Sequence, residues 1–350
     1  MSVERVCCQQ CFNETNIAQF IIHHGTFQAS CSYCEAENVK AVIPKDIFQF
    51  VEKIAYGLKE IDGGKPLFTL LEDDFCFFEE KVLDKQNLLS SILSENQELL
   101  SKKYSVPDIQ LTRDSWGDFC NEITTKNRFF PQTELYKNIF TNTKEMNNGQ
   151  TNAFIAMVDS LKKSYSTERA FYRARVDENK LDIKQMRAPH PDIVTPGRAN
   201  PIGISYLYLA EDERTCIAEV RPSNGSLVNI ATFNLNKSLD LLDLTNPRKK
   251  ASFLLQESES LEDSLTHINL LEIFAQELSK PILPHRSHLD YIPTQFISEF
   301  FKTVCSFDGI VFNSSFGHGK NIVLFDQTVV RDKSMKYCRI SSVDHTYEEG

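Results

Sequence analysis

The chain has 350 residues, of which 41% are hydrophobic and 25% charged, and its formal net charge is −10 at pH 7. This length suits two folded domains, and the composition is typical of a globular protein. The negative charge disfavours broad attraction to nucleic acid or to an anionic membrane surface, and no apolar run is long enough to cross a bilayer. Because residues 1–20 lack the features of a secretion signal, we expect a cytoplasmic protein. From the charge and the lack of a long apolar run, we expect no membrane partner, and the same charge argues against a nucleic-acid partner.

Four cysteines near the N terminus form two CxxC pairs: Cys8 with Cys11, and Cys31 with Cys34. Four thiolates complete the tetrahedral shell of Zn²⁺ and leave no open coordination position for catalysis. The pattern therefore predicts a structural zinc ribbon or knuckle within residues 1–40, in which the metal supports folding. The alternative, a group of unrelated free thiols, stays open at this point.

Residues 41–150 carry the pattern of amphipathic helices. Apolar side chains recur at three- and four-residue steps between Ile47 and Leu58, and again between Val82 and Leu100. A polar stretch at 141–152 is rich in turn-forming residues. We predict a mainly helical N-terminal domain that ends near residue 150.

After residue 150, short β-prone runs alternate with helical stretches. The predicted strands are 170–175, 206–209, 227–233, 239–244, 309–312 and 321–325, and the predicted helices are 211–220, 265–278 and 294–305. This alternation is typical of an α+β domain, which we place at 151–335 with a tail at 336–350.

Three blocks of this second domain carry side chains suited to a pyridine dinucleotide. Arginine offers a fork of donors to pyrophosphate oxygens, a tyrosine ring can stack on nicotinamide, and a carboxylate can stabilise the charge that develops as a glycosidic bond breaks. Nicotinamide leaves as a neutral molecule, so one carboxylate suffices. The residues are Tyr172, Arg173, Arg198, Asn200, Tyr208 and Glu219. Judged by residue type alone, the commoner explanation is a surface ion pair, a core tyrosine and a solvated glutamate.

The order of the blocks resembles the signature of the RES domain family. The resemblance covers Phe171-Tyr172-Arg173, Gly197-Arg198-Ala199-Asn200-Pro201-Ile202-Gly203 and the stretch from Tyr208 to Val220 that contains Glu219. A later run is similar to the C-terminal segment of the family and consists of Gln295, Phe307-Asp308-Gly309-Ile310, Ser314-Ser315, Asn321 and Phe325. Cys216 departs from the alanine usual in the family, and an insertion at about 245–290 separates the blocks.

The resemblance implies a fold related to ADP-ribosyltransferase toxins and an activity that depletes NAD+ by hydrolysis or phosphorolysis. It implies that Glu219 is the catalytic carboxylate, that Arg173 and Arg198 bind the phosphates, and that Tyr208 contacts the nicotinamide side. Arg198 and Tyr208 join Glu219 in the expected catalytic set. The other expected NAD+-binding residues are Tyr172, Asn200, Ser314, Ser315 and Asn321.

The cysteine pairs and the helices after them resemble the HEPN/RES N-terminal domain. Many HEPN proteins are ribonucleases that use an arginine and a histidine about five residues apart, but no histidine lies between His24 and His190. A regulatory or partner-sensing role is therefore expected for this region.

The RES resemblance also implies the toxin of a toxin–antitoxin pair or a phage-defence effector, with an antitoxin or another regulatory protein as partner. A homo-oligomer is a further open expectation. Two other functions stay open: a mono-ADP-ribosyltransferase, and a catalytically inactive interaction protein stabilised by zinc.

Overall fold

The computed structural model describes residues 4–141, 149–253, 261–281 and 287–343. The chain forms two compact units, each built from separate stretches of sequence. The first unit contains residues 1–117, 134–161 and 246–272, and the second contains residues 118–133, 162–245 and 273–350. Parts of the predicted turn-rich stretch (142–148) and of the predicted tail (344–350) lie outside the described residues.

The structure contains short and long helices, numbered in chain order. They are α1 Thr15–His24, α2 Phe48–Gly57, α3 Leu67–Thr69, α4 Lys85–Ile92, α5 Glu98–Ser101, α6 Ile109–Thr125, α7 Gly149–Ser160, α8 Glu213–Glu219, α9 Pro247–Lys250, α10 Leu261–Ser279, α11 Ser287–Asp290 and α12 Ile292–Thr303. Two short π-helical turns lie at Leu70–Asp74 and Tyr136–Phe140.

The strands, in chain order, are β1 Cys7–Cys8, β2 Thr26–Ser30, β3 Glu37–Val42, β4 Glu60–Pro66, β5 Lys103–Tyr104, β6 Lys162–Tyr165, β7 Ala170–Val176, β8 Leu207–Ala210, β9 Leu227–Leu235, β10 Leu239–Asp243, β11 Gly309–Asn313, β12 Lys320–Leu324 and β13 Val330–Arg339.

The first unit combines helices with two small antiparallel sheets. One sheet has the order β1-β3-β2, and the other pairs β4 with β5. The predicted helix between Ile47 and Leu58 is observed as α2, whose apolar side chains are buried. The apolar stretch between Val82 and Leu100 is divided between α4 and α5. Helices are thus observed in both predicted stretches, but the unit also contains strands that the sequence pattern did not indicate.

The second unit is built on an eight-stranded sheet with the order β13-β9-β7-β8-β12-β11-β10-β6. The pair β10–β11 is parallel and the other neighbouring strands are antiparallel, so the sheet is mixed. The six predicted strands and the three predicted helices of this region are all observed, with ends shifted by a few residues. The α+β prediction is confirmed, whereas the relation to ADP-ribosyltransferase toxins stays a prediction.

The two faces of this sheet differ in the size of their buried side chains. Strand geometry sends successive side chains to opposite faces. Large apolar groups such as Phe171 and Phe233 fill one core. The other core is smaller and includes Ala174, Ala210 and Cys216. Small side chains on this second face leave room for a cleft.

None of the helices in the described ranges combines the length and the apolar character needed to span a bilayer.

Candidate active site

The cleft begins where strands β7 and β8 separate. Strand β7 pairs with β9 from Ala170 to Val176, but it pairs with β8 only where Tyr172 lies opposite Ala210. The resulting cleft has a volume of about 340 Å³ and belongs entirely to the second unit. This volume lies within the usual range of small-molecule sites. Six predicted site residues line it: Tyr172, Arg173, Arg198, Tyr208, Glu219 and Asn321.

Arg173 is a partly buried cation at the point where the two strands separate. Its Nη1 donates to the Tyr208 carbonyl oxygen at 3.1 Å. Burial lowers the pKa of the Arg173 guanidinium to about 10, with repulsion from Arg175 as a further cause. Among the described residues no carboxylate forms an ion pair with it. A guanidinium with this pKa is cationic at neutral pH, and because buried charges are normally paired, the cleft is suited to an anionic ligand.

Glu219 is the last residue of α8, which is capped at its start by the Asp212 side chain. Its Oε1 accepts hydrogen bonds from Ser314 Oγ at 2.6 Å and from Asn321 Nδ2 at 2.7 Å. Its Oε2 has no hydrogen-bond partner within the described part of the chain. One oxygen is therefore fixed by two donors, and the other is available to a ligand in the cleft.

The Gly197–Asn200 turn carries Arg198 and is held by the hydroxyl of Tyr208. That hydroxyl accepts from the Ala199 amide at 2.9 Å and donates to Asn200 Oδ1 at 2.8 Å. Burial raises the pKa of Tyr208 to about 12. A Cβ at Gly197 would lie 2.7 Å from the Tyr208 hydroxyl oxygen, so this close approach requires glycine. The Tyr208 ring thus faces the cleft, while its hydroxyl organises the turn.

Two predicted binding residues lie behind the cleft. Asn200 is buried, and its Nδ2 donates to backbone carbonyls of its own loop, including that of Thr195 at 3.1 Å. Ser315 Oγ accepts from Arg198 Nη1 at 3.0 Å and donates to the Ser279 carbonyl oxygen. Arg198 Nη1 also donates to the Leu278 carbonyl oxygen at 2.7 Å, which satisfies a free carbonyl at the end of α10. Asn200 and Ser315 therefore support the site and do not line the cleft.

Two residues near the start of α12 belong to the site but were not predicted as site residues. Tyr291 lines the cleft, and Gln295 Nε2 donates to the carbonyl oxygens of Gly197 at 2.9 Å and Asn200 at 3.0 Å. Gln295 stood within the RES-like pattern without an assigned role. Tyr291 follows the insertion, where the pattern gives no signal. Their four-residue spacing places them on one helical face.

The four paired cysteines of the first unit lie together in the structure. Cys8 and Cys34 have Sγ atoms 3.5 Å apart, and Cys11 and Cys31 have Sγ atoms 3.4 Å apart. All four sulfurs lie within 4.8 Å of one another. Strand β3 lies between β1 and β2, and the two CxxC segments follow the ends of these outer strands. The sequence prediction that the two pairs converge is confirmed.

Comparison with known proteins matches residues 170–341 to the RES domain family. This segment contains every cleft residue named above. A solved structure with detectable similarity is described as the crystal structure of the M. tuberculosis MbcT-MbcA toxin-antitoxin complex. The similarity has 12% sequence identity, covers 53% of this chain and 92% of that chain, and has a TM-score of 0.32. No curated protein sequence matches the chain.

Proposed function

We propose that the RES domain at residues 170–341 is an NAD+-degrading enzyme that cleaves the nicotinamide glycosidic bond. The observation that carries this proposal is the presence, in one cleft, of an anchored carboxylate and a partly buried arginine that forms no ion pair with a described carboxylate. The resemblance of the Arg173, Arg198, Tyr208 and Glu219 blocks to RES enzymes supports the same chemistry.

In this proposal the two arginines bind the pyrophosphate of NAD+. Arg173 supplies a partly buried cation, and Arg198 supplies a guanidinium whose Nη1 is already fixed by Leu278 and Ser315. Preset donors lower the entropy cost of binding. The Tyr208 ring lines the same cleft and would offer a flat surface to nicotinamide.

Bond cleavage then depends on Glu219. The bond between ribose C1′ and the nicotinamide nitrogen breaks, and its electron pair stays on the nitrogen, which becomes neutral. Positive charge develops on the ribose, where Glu219 Oε2 can accept a hydrogen bond from a ribose hydroxyl and stabilise the charge. An oxygen of water or of phosphate forms the new bond to C1′, and the acceptor's proton passes to solvent. The products are nicotinamide and either ADP-ribose or its 1-phosphate.

The test is chromatography of NAD+ incubated with the protein, in buffers with and without phosphate. We expect wild type to release nicotinamide and Glu219→Gln to be slower by two to three orders of magnitude, roughly the effect of removing one electrostatic stabiliser. The matched control is Glu213→Gln, on the same helix, where the side chain pairs with Lys336 instead. No nicotinamide from wild type in either buffer would contradict the proposal.

The same samples separate the alternatives. Transfer of labelled ADP-ribose from NAD+ to a macromolecule would indicate a mono-ADP-ribosyltransferase. If Glu219→Gln changed nothing while cysteine variants abolished the cellular effect, an interaction protein stabilised by zinc would be the better explanation.

We also propose that Cys8, Cys11, Cys31 and Cys34 bind one structural Zn²⁺. The donor set fits, because Zn–S bonds of about 2.3 Å in a tetrahedron place the sulfurs about 3.8 Å apart, close to the sulfur separations present here. Elemental analysis should find one zinc per chain. Cys11→Ser should lower both zinc content and thermal stability, whereas Cys120→Ser, at a cysteine outside the cluster, should keep the zinc.

An NAD+-depleting enzyme harms the cell that makes it unless it is restrained. We therefore propose an antitoxin or regulatory protein partner, in line with the toxin role that the RES resemblance implies. Expression of wild type alone should deplete cellular NAD+ and stop growth, and Glu219→Gln should do neither. High expression of active wild type without loss of growth would contradict the need for such a partner.

A further inference from the structure

Gln295 bridges both ends of the turn that carries Arg198. Its Nε2 donates to the carbonyl oxygens of Gly197 at 2.9 Å and of Asn200 at 3.0 Å. The turn closes on itself through the Gly197 amide, which donates to the Asn200 carbonyl oxygen at 2.9 Å. The side-chain amide of Gln295 therefore donates both of its hydrogen bonds to one short segment of backbone.

The guanidinium of Arg198 is held from the other side. Its Nη1 donates to the carbonyl oxygen of Leu278 and to Ser315 Oγ. The backbone of Arg198 and the tip of its side chain are thus both fixed. Its Nε and Nη2 have no partner among the residues that the structure describes, although Arg198 lines the cleft.

We propose that Gln295 is a positioning residue that sets Arg198 for the pyrophosphate of the substrate. The inference rests on the proposed function and adds a residue to it. Gln295 acts through the turn, and within the described part of the chain it has no hydrogen bond with Glu219 or with the two side chains that hold Glu219. Its effect is therefore expected on substrate binding rather than on bond cleavage.

The first variant is Gln295→Met, which keeps the length of the side chain and removes both donors. Loss of two neutral hydrogen bonds should raise the KM for NAD+ roughly tenfold, with kcat within about twofold of wild type. The matched control is Gln19→Met, the same change at an exposed position of α1, which should leave both constants unchanged. Thermal midpoints establish that each variant is folded.

A double-mutant cycle tests whether the effect passes through Arg198. In an Arg198→Ala background, Gln295→Met should cause no further rise in KM. An equal rise in both backgrounds would overturn the inference, and so would a loss of kcat with unchanged KM. Gln295→His, which keeps one donor, should give an intermediate KM and replaces the Met variant if that variant does not fold.

Calorimetric affinity for NAD+ in the Glu219→Gln background provides a readout without turnover. A tenfold weaker affinity on adding Gln295→Met supports the positioning role whatever the reaction is. Unchanged affinity there, together with an inactive Glu219→Gln parent, would reject the role of Gln295 and leave the proposed function standing.

Discussion

The orientation of Glu219 depends on two donors, Ser314 and Asn321. Both bind the same oxygen, Oε1, and Oε2 has no hydrogen-bond partner among the described residues. A carboxylate that rotates freely would meet the ribose in the productive orientation only part of the time. The serine and the asparagine are therefore expected to affect kcat more than KM.

Ser314→Ala tests this dependence. We expect kcat for nicotinamide release to fall by roughly tenfold, because one of two hydrogen bonds to a charged group is lost. The KM should change little. Ser334→Ala, on the exposed strand β13, is the control. A rise in KM at unchanged kcat would show that Ser314 binds the substrate instead of holding Glu219.

Replacing Arg173 is expected to affect stability and substrate binding in opposite directions. A partly buried cation without an acidic partner costs folding free energy, and replacing it by an apolar side chain of similar length removes that cost. Arg173→Met should raise the thermal midpoint by about 2–4 °C, which corresponds to about 1 kcal/mol in a domain of this size, while raising the KM for NAD+ at least tenfold.

The control for Arg173→Met is Arg175→Met on the same strand. Arg175 is also partly buried, but its hydrogen bond to the Gln185 carbonyl oxygen, 2.8 Å long, lies at an exposed position. No gain in stability is expected there. A lower thermal midpoint for Arg173→Met would mean that its bond to the Tyr208 carbonyl outweighs the cost of burial.

Sequence order was a good guide to which residues gather at the cleft, but not to the direction of each side chain. The Arg173, Tyr208 and Glu219 blocks converge as expected. Asn200 and Ser315 stand in the same blocks yet turn away to satisfy backbone carbonyls. Local hydrogen-bond demand decides that direction, and it depends on loop backbones that the sequence pattern does not reveal.

At the scale of elements, burial decided which strands could be predicted. Strand β9 is almost wholly buried and its apolar run stands out in the sequence. Strand β13 is exposed along most of its length and carries Arg331, Lys333 and Lys336, so it shows no alternation. Charged side chains on an edge strand protect it from unwanted pairing, and they also hide it from a hydrophobic pattern.

The β11–β12 loop brings Ser314 to Glu219, and Gly319 allows it to approach α8. A Cβ at Gly319 would lie 1.9 Å from Thr215 Oγ1 and 3.0 Å from Thr215 Cβ. Thr215 is buried and its hydroxyl donates to Asp212 Oδ2 at 2.8 Å, so it has little freedom to move. Gly319→Ala should therefore lower stability by about 1–3 kcal/mol and reduce kcat.

Gly317→Ala, two residues earlier in the same loop, is the matched control. A Cβ there would meet Ala218, Ser314 and Thr215 at ordinary contact distances of 3.7 to 3.8 Å. Urea unfolding and nicotinamide release should be close to wild type for this variant. Equal effects of the two substitutions would point to loop flexibility, and not to the contact with Thr215, as the cause.

At the scale of the whole molecule, the sequence did not indicate which stretches of chain belong to which of the two units. Residues 246–272 follow strand β10 in sequence but belong to the first unit. Within that unit Arg248 pairs with Glu272 at 2.5 Å and donates to the Asp74 carbonyl oxygen. These partners are far apart in sequence, and without knowledge of the contacts a charged side chain gives no sign of which distant residue it will meet.

Glu14, near the start of the chain, binds the segment 246–272 of the same unit. Its buried carboxylate accepts from Ser252 Oγ, from the Phe253 amide at 3.2 Å and from the Asn16 amide at 3.3 Å. Burial raises the pKa of Glu14 above its ordinary value of 4.5, and these hydrogen bonds only partly oppose the rise. The folded protein therefore holds this proton more tightly than the unfolded chain does.

The sign of the pH dependence follows from that difference. A raised pKa in the folded state contributes stability that is fully present below the unfolded pKa of 4.5 and is lost as pH rises through the folded pKa. The urea midpoint of wild type should thus fall, relative to Glu14→Gln, as pH increases above 4.5. Glu98→Gln, at an exposed glutamate, should follow wild type across the range. A constant offset between wild type and Glu14→Gln would mean that Glu14 has the same pKa in both states, and its burial would then have to be offset by hydrogen bonds to the ionised form.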